Sequence, residues 1–326
     1  MKQTILITRK FFPELMNQIE NDYNVIIWEK ESPPDKQWVL DHLASADGII
    51  TMLTDIIDDQ VISNGAAHHL KVISQMAVGF DNIDIQTATR HQIAIGNTPG
   101  VLTETTADFT WALLMALARQ VVNSNNEVHQ GIWRPWGPEV FAGADVFGKN
   151  LGIIGYGRIG QAVARRAVGF GMKVLVFVRN AKNQDSLPRV EFCDFDNLLQ
   201  QSDFVSLHAN LNSSSQGLIG KKQLQLMKPT AFLINTARGA MIDHNALHDS
   251  LIKHQLAGAA LDVFDPEPIP LDHPLLKLHN VIITPHIASA SLATRRRMAE
   301  MTIKNVIAGI EGKPLPYCVN PEIYGS

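Results

Sequence analysis

Three polar residues occupy comparable places in the chain, each at the downstream end of an apolar run. Arg238 follows Phe232-Leu233-Ile234-Asn235-Thr236-Ala237, Glu267 lies within Asp262-Val263-Phe264-Asp265-Pro266-Glu267-Pro268, and His286 follows Ile282-Ile283-Thr284-Pro285. If those runs are strands of one parallel sheet, all three side chains emerge at its carboxyl edge, where open α/β sheets bind ligands. A guanidinium suits an anion, and a carboxylate with an imidazole suits proton transfer. Taken singly, they also fit a surface Arg, a turn Glu and a strand-end His. A fourth feature narrows the reading. Gly155-Tyr156-Gly157-Arg158-Ile159-Gly160 is a G-x-G-x-x-G directly after a strand pattern and before a helical one, the context that makes it a dinucleotide motif. Gly155 permits the turn, Gly157 lets backbone approach a pyrophosphate, and Gly160 lets the helix close on the strand.

The elements that must position these residues alternate. Ile5-Leu6-Ile7, Val25-Ile26-Ile27, Gly48-Ile49-Ile50 and Val72-Ile73-Ser74 read as strands separated by amphipathic stretches such as residues 12–20. A long helix is expected over about residues 103–130, with Thr105 and Asp108 fitting a capping pattern. A second series of apolar runs begins at Leu151-Gly152-Ile153-Ile154 and continues at residues 174–178, 204–207, 231–235, 259–263 and 281–284, as for strands buried on both faces. A last helix is expected over about residues 292–311. Two α/β units follow, with parallel sheets and crossover helices.

Composition agrees with an enzyme of this kind and excludes other classes. The 326 residues favour two domains. No apolar run approaches the ~20 residues that a bilayer requires, and the first apolar stretch is too short for a signal peptide. With 28 basic against 32 acidic residues, no positive excess draws nucleic acid or anionic lipid. Arg295-Arg296-Arg297 wraps around a helix opening after Ser291 and reads as a solvated face. Two cysteines, Cys193 and Cys318, make no disulfide framework, so a reducing, cytoplasmic setting is expected. His244 and His248 stand at i, i+4 without further ligands and read as a solvated helix face; adjacent His68 and His69 point apart. No metal is expected.

Cofactor choice is legible at the end of the strand after the glycine motif. An NAD-binding fold places a ribose-binding acid there, about 20 residues past the glycines. This chain has Val178, Arg179 and Asn180. A carboxylate is missing and a guanidinium is present, which favours NADP(H) over NAD(H) through a charge-assisted contact with a 2′-phosphate.

With these motifs at consistent spacing, from Met76-Ala77-Val78-Gly79-Phe80-Asp81-Asn82-Ile83-Asp84 to Val319-Asn320-Pro321, the chain resembles the D-isomer-specific 2-hydroxyacid dehydrogenase family. Its nearest likeness there is to the glyoxylate/hydroxypyruvate reductase and 2-ketogluconate reductase branch. The resemblance implies two flavodoxin/Rossmann-like domains with a cleft between them. Residues 1–100 plus 289–326 would bind substrate, and residues 101–288 would bind the dinucleotide. It implies NADPH-dependent reduction of a small 2-keto acid (glyoxylate, hydroxypyruvate or 2-ketogluconate) to the D-2-hydroxy acid. Arg238 would bind the carboxylate and polarise the keto oxygen, His286 would donate the proton, and Glu267 would hold the imidazole and favour its charged form. Backbone amides of Val78 and Gly79 would grip the carboxylate, with Leu53 lining the pocket. Asp262, Thr236 and Ala237 would face the nicotinamide, and His286 and Ser289 would complete the cofactor contacts begun by Gly155, Gly157, Arg158, Ile159, Gly160 and Arg179.

Two departures touch loop geometry near the cofactor: Ala288 stands where the family commonly has Gly after His-x, and Asn210 replaces a usual Pro. Trp133 and Trp136 resemble an arm that reaches a neighbouring subunit in some relatives, and they fit core or interface packing equally. A homodimer is expected through this arm and the helix beginning at Thr103, whose Phe109, Trp111, Leu113, Leu114, Met115 and Leu117 are apolar nearly all round. A phosphoglycerate dehydrogenase-like enzyme is the rival within catalysis, although Met52-Leu53-Thr54 offers no cation for a phosphate and the chain stops at Ser326. A nucleotide-sensing, corepressor-like interaction protein is the rival of another class.

Overall fold

A computed structural model describes residues 2–179 and 189–325, and all structural statements concern those residues. The chain divides into two compact units, Met1–Leu102 with Ser291–Ser326, and Thr103–Ala290.

The first unit opens with strand β1 (Thr4–Ile7), helix α1 (Pro13–Asp22), β2 (Asn24–Ile27), α2 (Lys36–Leu43), β3 (Gly48–Thr51), α3 (Asp59–Ala66), β4 (Val72–Gln75), α4 (Ile85–Arg90) and β5 (Ala94–Gly96). All five strands are parallel in the order β2-β1-β3-β4-β5, so the chain reverses its winding direction at β1/β3. Every residue of β3 and β4 is buried, the polar Thr51, Ser74 and Gln75 included, and Thr51 Oγ1 donates to Gln75 Oε1 at 2.8 Å. Asp35, Asp58 and Asp84 open α2, α3 and α4 by accepting from backbone N–H groups in the first turn of each helix.

The second unit comprises α5 (Thr103–Ala118), α6 (Val121–His129), β6 (Asn150–Ile154), α7 (Arg158–Ala167), β7 (Lys173–Phe177), β8 (Val190–Phe192), α8 (Phe195–Gln201), β9 (Phe204–Leu207), α9 (Lys221–Leu226), β10 (Phe232–Asn235), α10 (His244–Ile252), β11 (Gly258–Leu261) and β12 (Val281–Ile283). Its sheet runs β12-β11-β10-β9-β6-β7-β8, again all parallel, with the change of direction at β6/β9. One apolar cluster, including Trp111, Leu114, Ile153, Val163 and Val176, fills one face; a second, including Leu207, Leu224, Leu233, Leu251 and Leu261, fills the other.

The final helix, α11 (Leu292–Ile310), belongs to the first unit and lies on β3, β4 and β5. Glycine permits the approach: a Cβ on Gly309 would sit 2.4 Å from Val72 Cβ, and one on Gly48 would sit 2.8 Å from Val306. Ser291 caps it, accepting from Thr294 N.

Several expectations need correction. The helix over residues 103–130 is two helices, because Gln120 adopts a left-handed conformation (φ 52°) that ends the first and starts the second. Thr105 lies inside α5 and is therefore not its cap. The all-round apolar character of α5 is satisfied largely within its own unit, where Trp111, Leu113, Leu114 and Leu117 are buried and Phe109 and Met115 pack against the same cluster. The helix after the glycine motif begins at Arg158, inside the motif itself. Strands β5 and β8, three residues each, add to the strands expected from the apolar runs. Asn180 lies outside the described residues.

Candidate active site

The glycine turn joins β6 to α7. Gly155 needs its lack of a side chain twice, with φ 94° and a hypothetical Cβ 2.6 Å from Ala209 N. A Cβ on Gly160 would lie 2.2 Å from the Gly155 carbonyl oxygen, so only glycine lets α7 close on the turn. At Gly157 the added Cβ would meet nothing, and no side chain caps α7. The first amides of α7, at Arg158 and Ile159, thus have no capping side chain and follow an exposed Gly157, an arrangement that fits the pyrophosphate of a dinucleotide.

At the carboxyl edge of the same sheet, His286 Nδ1 pairs with Glu267 Oε2 at 2.8 Å. The other carboxylate oxygen accepts from Phe264 N at 2.8 Å, which fixes the carboxylate plane. With Nδ1 engaged by an acceptor, Nε2 is the ring nitrogen left to serve a reactant. His286 adopts a left-handed backbone (φ 53°), unfavourable for a side chain of this size.

Asp262 imposes that conformation. Its carboxylate, 1% exposed, accepts from Thr284 Oγ1 at 2.6 Å, Ile287 N at 2.9 Å and Ala288 N at 2.7 Å, so the loop carrying His286 is wrapped around one charge. His286 N also donates to the Asp262 carbonyl at 2.9 Å. Burial pushes the Asp262 carboxyl above the ordinary carboxylate range, while Thr284 and the two amides pull against that shift. Expected to face a nicotinamide, Asp262 thus devotes three acceptor positions to the loop. Ala288 is buried and supplies one of the three donors, and Ser289 follows it in the chain.

Arg238 follows β10 in a turn shaped by Asn235, which donates from Nδ2 to the Arg238 carbonyl at 2.8 Å and accepts from Ala237 N at 2.9 Å. The guanidinium donates to the Ala237 carbonyl at 2.8 Å. Thr236 Oγ1 pairs with Thr110 Oγ1 at 2.9 Å, tying the turn to α5. Asn235, Thr284 and Phe264 were not singled out from sequence. Asn235 offered a signal, an amide at the end of an apolar run, whereas Thr284 acts through Asp262, 22 residues away, and Phe264 through a backbone N–H that its residue type does not reveal.

Arg179, just past β7, is exposed and donates to the Ser214 carbonyl and to Asn212 Oδ1. Asn210, in the same loop, accepts from Ser215 Oγ at 2.8 Å. His208 leaves β9 beside the glycine turn, its Nε2 2.8 Å from Ser206 Oγ, and burial drives its pKa down to about 3. His244 is not on a solvated face: its ring lies 5.2 Å from that of Phe264, and burial lowers its pKa.

The first unit positions Leu53, Val78 and Gly79 on two turns at the carboxyl edge of its sheet. Asn82 links them, donating to the Met52 and Asp55 carbonyls, and Gln75 donates to Asn82 Oδ1 and the Gly79 carbonyl. Thr98 N donates to the Ala77 carbonyl, and Asn97 Nδ2 donates to that of Val78. Because C=O and N–H oppose each other across a trans peptide, those bonds aim the Val78 and Gly79 amides the opposite way, free of the sheet edge. Asp55, raised in pKa by burial, braces Leu53 by accepting from Met52 N at 2.7 Å.

Among the described residues, no group of three or more His, Cys, Asp or Glu could hold a metal, and no helix is long and apolar enough to cross a membrane.

Residues 111–288 match the family model described as the D-isomer specific 2-hydroxyacid dehydrogenase NAD binding domain. Over 326 aligned residues the chain is 47% identical to a glyoxylate reductase of Korarchaeum cryptofilum, with 99% of this chain and 97% of the relative covered. A crystal structure of a Thermus thermophilus protein superposes with TM-score 0.91 at 42% identity, covering 97% of this chain and all of that one. An NADPH-dependent glyoxylate/hydroxypyruvate reductase of Sinorhizobium meliloti, solved with NADP and malonate, superposes with TM-score 0.84 at 26% identity, covering 98% of each chain. The chain belongs to the D-isomer-specific 2-hydroxyacid dehydrogenase family and is an NAD(P)-dependent 2-hydroxyacid dehydrogenase.

Proposed function

We propose that the protein reduces a small 2-keto acid, glyoxylate foremost, with NADPH as the reductant. Hydroxypyruvate and 2-ketogluconate are the larger candidates, each giving the D-2-hydroxy acid. The observation that carries this reading is the Glu267–His286 hydrogen bond, set beside Arg238 on the edge that also carries the glycine turn. The names of the similar proteins, glyoxylate reductases among them, support it.

In this reading Gly155, Gly157, Arg158, Ile159 and Gly160 hold the pyrophosphate, and Thr236, Ala237, Asp262, His286 and Ser289 flank the nicotinamide. When bound, the dihydronicotinamide supplies a hydride to the keto carbon. Arg238 binds the substrate carboxylate; on the first unit, the amides of Val78 and Gly79 are donors suited to a carboxylate, with Leu53 as an apolar neighbour. As the carbonyl becomes an alkoxide, negative charge grows on its oxygen, so Arg238 stabilises the transition state more than the ground state. His286 Nε2 delivers a proton to that oxygen. The ring is left neutral with its remaining proton on Nδ1, where Glu267 holds it oriented.

Preference for NADPH rests on Val178 and Arg179. Val178 neither accepts from ribose hydroxyls nor repels a 2′-phosphate. Arg179, now on the Ser214 carbonyl and Asn212, exchanges these neutral acceptors for a dianion. We place the enzyme in the reducing cytoplasm, consistent with its two free thiols, Cys193 and Cys318.

We further propose a homodimer through α6 and the arm that follows. Val121, Val128, Ile132, Trp133, Trp136 and Phe147 are all exposed, Trp133 by 80% and Trp136 by 91%, and large exposed apolar side chains of this kind suit an interface between copies. Sedimentation at micromolar concentration should show a dimer, and a stable species at 36.0 kDa would refute it.

The reaction is tested by following NADPH oxidation with a panel of 2-keto acids, 3-phosphohydroxypyruvate included. Saturable turnover with glyoxylate or hydroxypyruvate supports the assignment. Turnover of the phosphorylated acid alone would move it to the phosphoglycerate class, and none with any acid would leave a nucleotide-binding protein without this activity.

A further inference from the structure

Gly239, immediately after Arg238, is buried, and its φ lies outside the left-handed region, so no turn demands a glycine there. Close approach does. A Cβ at this position would lie 2.0 Å from Phe264 C, 2.2 Å from Phe264 O and 2.3 Å from Phe264 Cα, all backbone atoms with no flexible end to swing aside. By contrast, a Cβ on Gly157 or Gly169 would touch nothing.

Phe264 is itself fixed. Its N–H donates to Glu267 Oε1 at 2.8 Å, its ring is 8% exposed between His244 (5.2 Å) and His273 (6.3 Å), and two residues upstream Asp262 is gripped by three donors. The other side of the contact is fixed too. Asn235 clamps the Ala237–Arg238 turn, and Ile242 N donates to the Gly239 carbonyl at 3.0 Å.

We infer that Gly239 is a positioning residue whose bare Cα seats the Phe264 backbone against the Arg238 turn, so that one contact sets both the guanidinium and the Glu267–His286 pair. The inference deepens the proposed reaction and rests on it for the roles of those three residues. Ordinary contact begins near 3.4 Å, so an added methyl must open the seat by about 1.4 Å. If the Arg238 turn yields, the substrate carboxylate loses its partner; if Phe264 yields, Glu267 loses its anchor and His286 its orientation. A misplacement of about 1 Å in such a group costs on the order of 10²-fold in rate.

The test compares Gly239→Ala with Gly169→Ala, a glycine on the same unit far from this contact. In Gly239→Ala we expect kcat/KM to fall about 10²-fold, with NADPH affinity within about threefold of the parent. The imidazole nitrogen resonances of His286 should move, and Gly169→Ala should change none of these. The loss should combine with that of Glu267→Gln less than multiplicatively, because both act on one imidazole. Parent-like kcat/KM in folded Gly239→Ala would overturn the inference. So would a loss that multiplies fully with that of Glu267→Gln while the His286 resonances stay fixed, since destabilisation alone behaves that way. If the parent protein reduces no 2-keto acid, the proposed reaction fails, while the resonance comparison still decides whether Gly239 positions His286. If Gly239→Ala does not fold, Phe264→Leu takes its place, shrinking the ring held between the two histidines. It should move the same resonances and cost roughly 3- to 10-fold in kcat/KM, and unmoved resonances would overturn the inference.

Discussion

Replacing Asp262 by Asn exchanges one carboxylate oxygen for an NH2 group and should disable the loop that carries His286. The amide oxygen can still accept from Thr284 Oγ1 and Ile287 N, but an NH2 group then faces Ala288 N, donor against donor, where a carboxylate oxygen now accepts at 2.7 Å. A hydrogen bond to a charged group is worth about 1.5–3 kcal/mol, and a buried donor left unsatisfied costs about 1–3 kcal/mol more. The two surviving bonds weaken as the charge disappears. We therefore expect a loss of about 2–4 kcal/mol, which for a unit of this size is a fall of roughly 5–15 °C in melting temperature. The left-handed backbone of His286, which costs about 1–3 kcal/mol to maintain, would be the first strain released. Relaxation of that residue turns the ring from its position beside Glu267, and turnover should drop on the order of 10²-fold. Calorimetry and steady-state kinetics on the same preparation, with NADPH affinity measured by fluorescence, separate the effects. Parent-like melting and turnover in Asp262→Asn would show that the three contacts do not hold His286, and the reasoning would fail. A loss confined to NADPH affinity would return Asp262 to a cofactor contact alone.

Other outcomes follow from single contacts. Arg238→Lys should raise KM and slow turnover together, because a point charge cannot reproduce a bidentate fork on a carboxylate; an unchanged KM counts against that contact. Arg179→Ala should weaken NADPH binding by about 10- to 150-fold and NADH binding far less, with solvent screening favouring the lower end; equal losses would show that Arg179 does not read the 2′-phosphate. His208 makes stability depend on acid. Its imidazole takes a proton near pH 6.5 when unfolded but resists to about 3 when folded, so stability is full above about 6.5 and declines as pH falls from there toward 3. His208→Gln should flatten the decline in melting temperature over that window, and an identical slope in parent and variant would refute the assignment.

The legible parts of this protein were local. Buried parallel strands announce themselves as apolar runs, and Leu151-Gly152-Ile153-Ile154 before Gly155 located the strand–turn–helix of the glycine motif without any tertiary information. Arg238, Glu267 and His286 were visible because each stands at the polar end of such a run. What escaped depended on distance or on subtle backbone. Val121 and Val122 continue the apolar pattern of α5, so nothing in composition marks Gln120 as left-handed. Three-residue strands such as β5 and β8 carry too little periodicity to separate from loop. Asp262 was legible as a polar residue at a strand end, yet its hold on Thr284, Ile287 and Ala288 spans 22 to 26 residues and exists only once β11 and β12 pair. His244 looked solvated because helical spacing shows which residues share a face, and not that Phe264 covers this one.

The central claim is that His286, held by Glu267, protonates the carbonyl oxygen of a 2-keto acid reduced by NADPH. The most direct measurement mixes enzyme saturated with NADPH against glyoxylate in a single turnover and follows nicotinamide absorbance for the parent protein and His286→Ala. The account predicts rapid oxidation by the parent and a rate lower by roughly 10²–10⁴-fold in the variant, with NADPH affinity retained. Equal rates in the two folded proteins would contradict it.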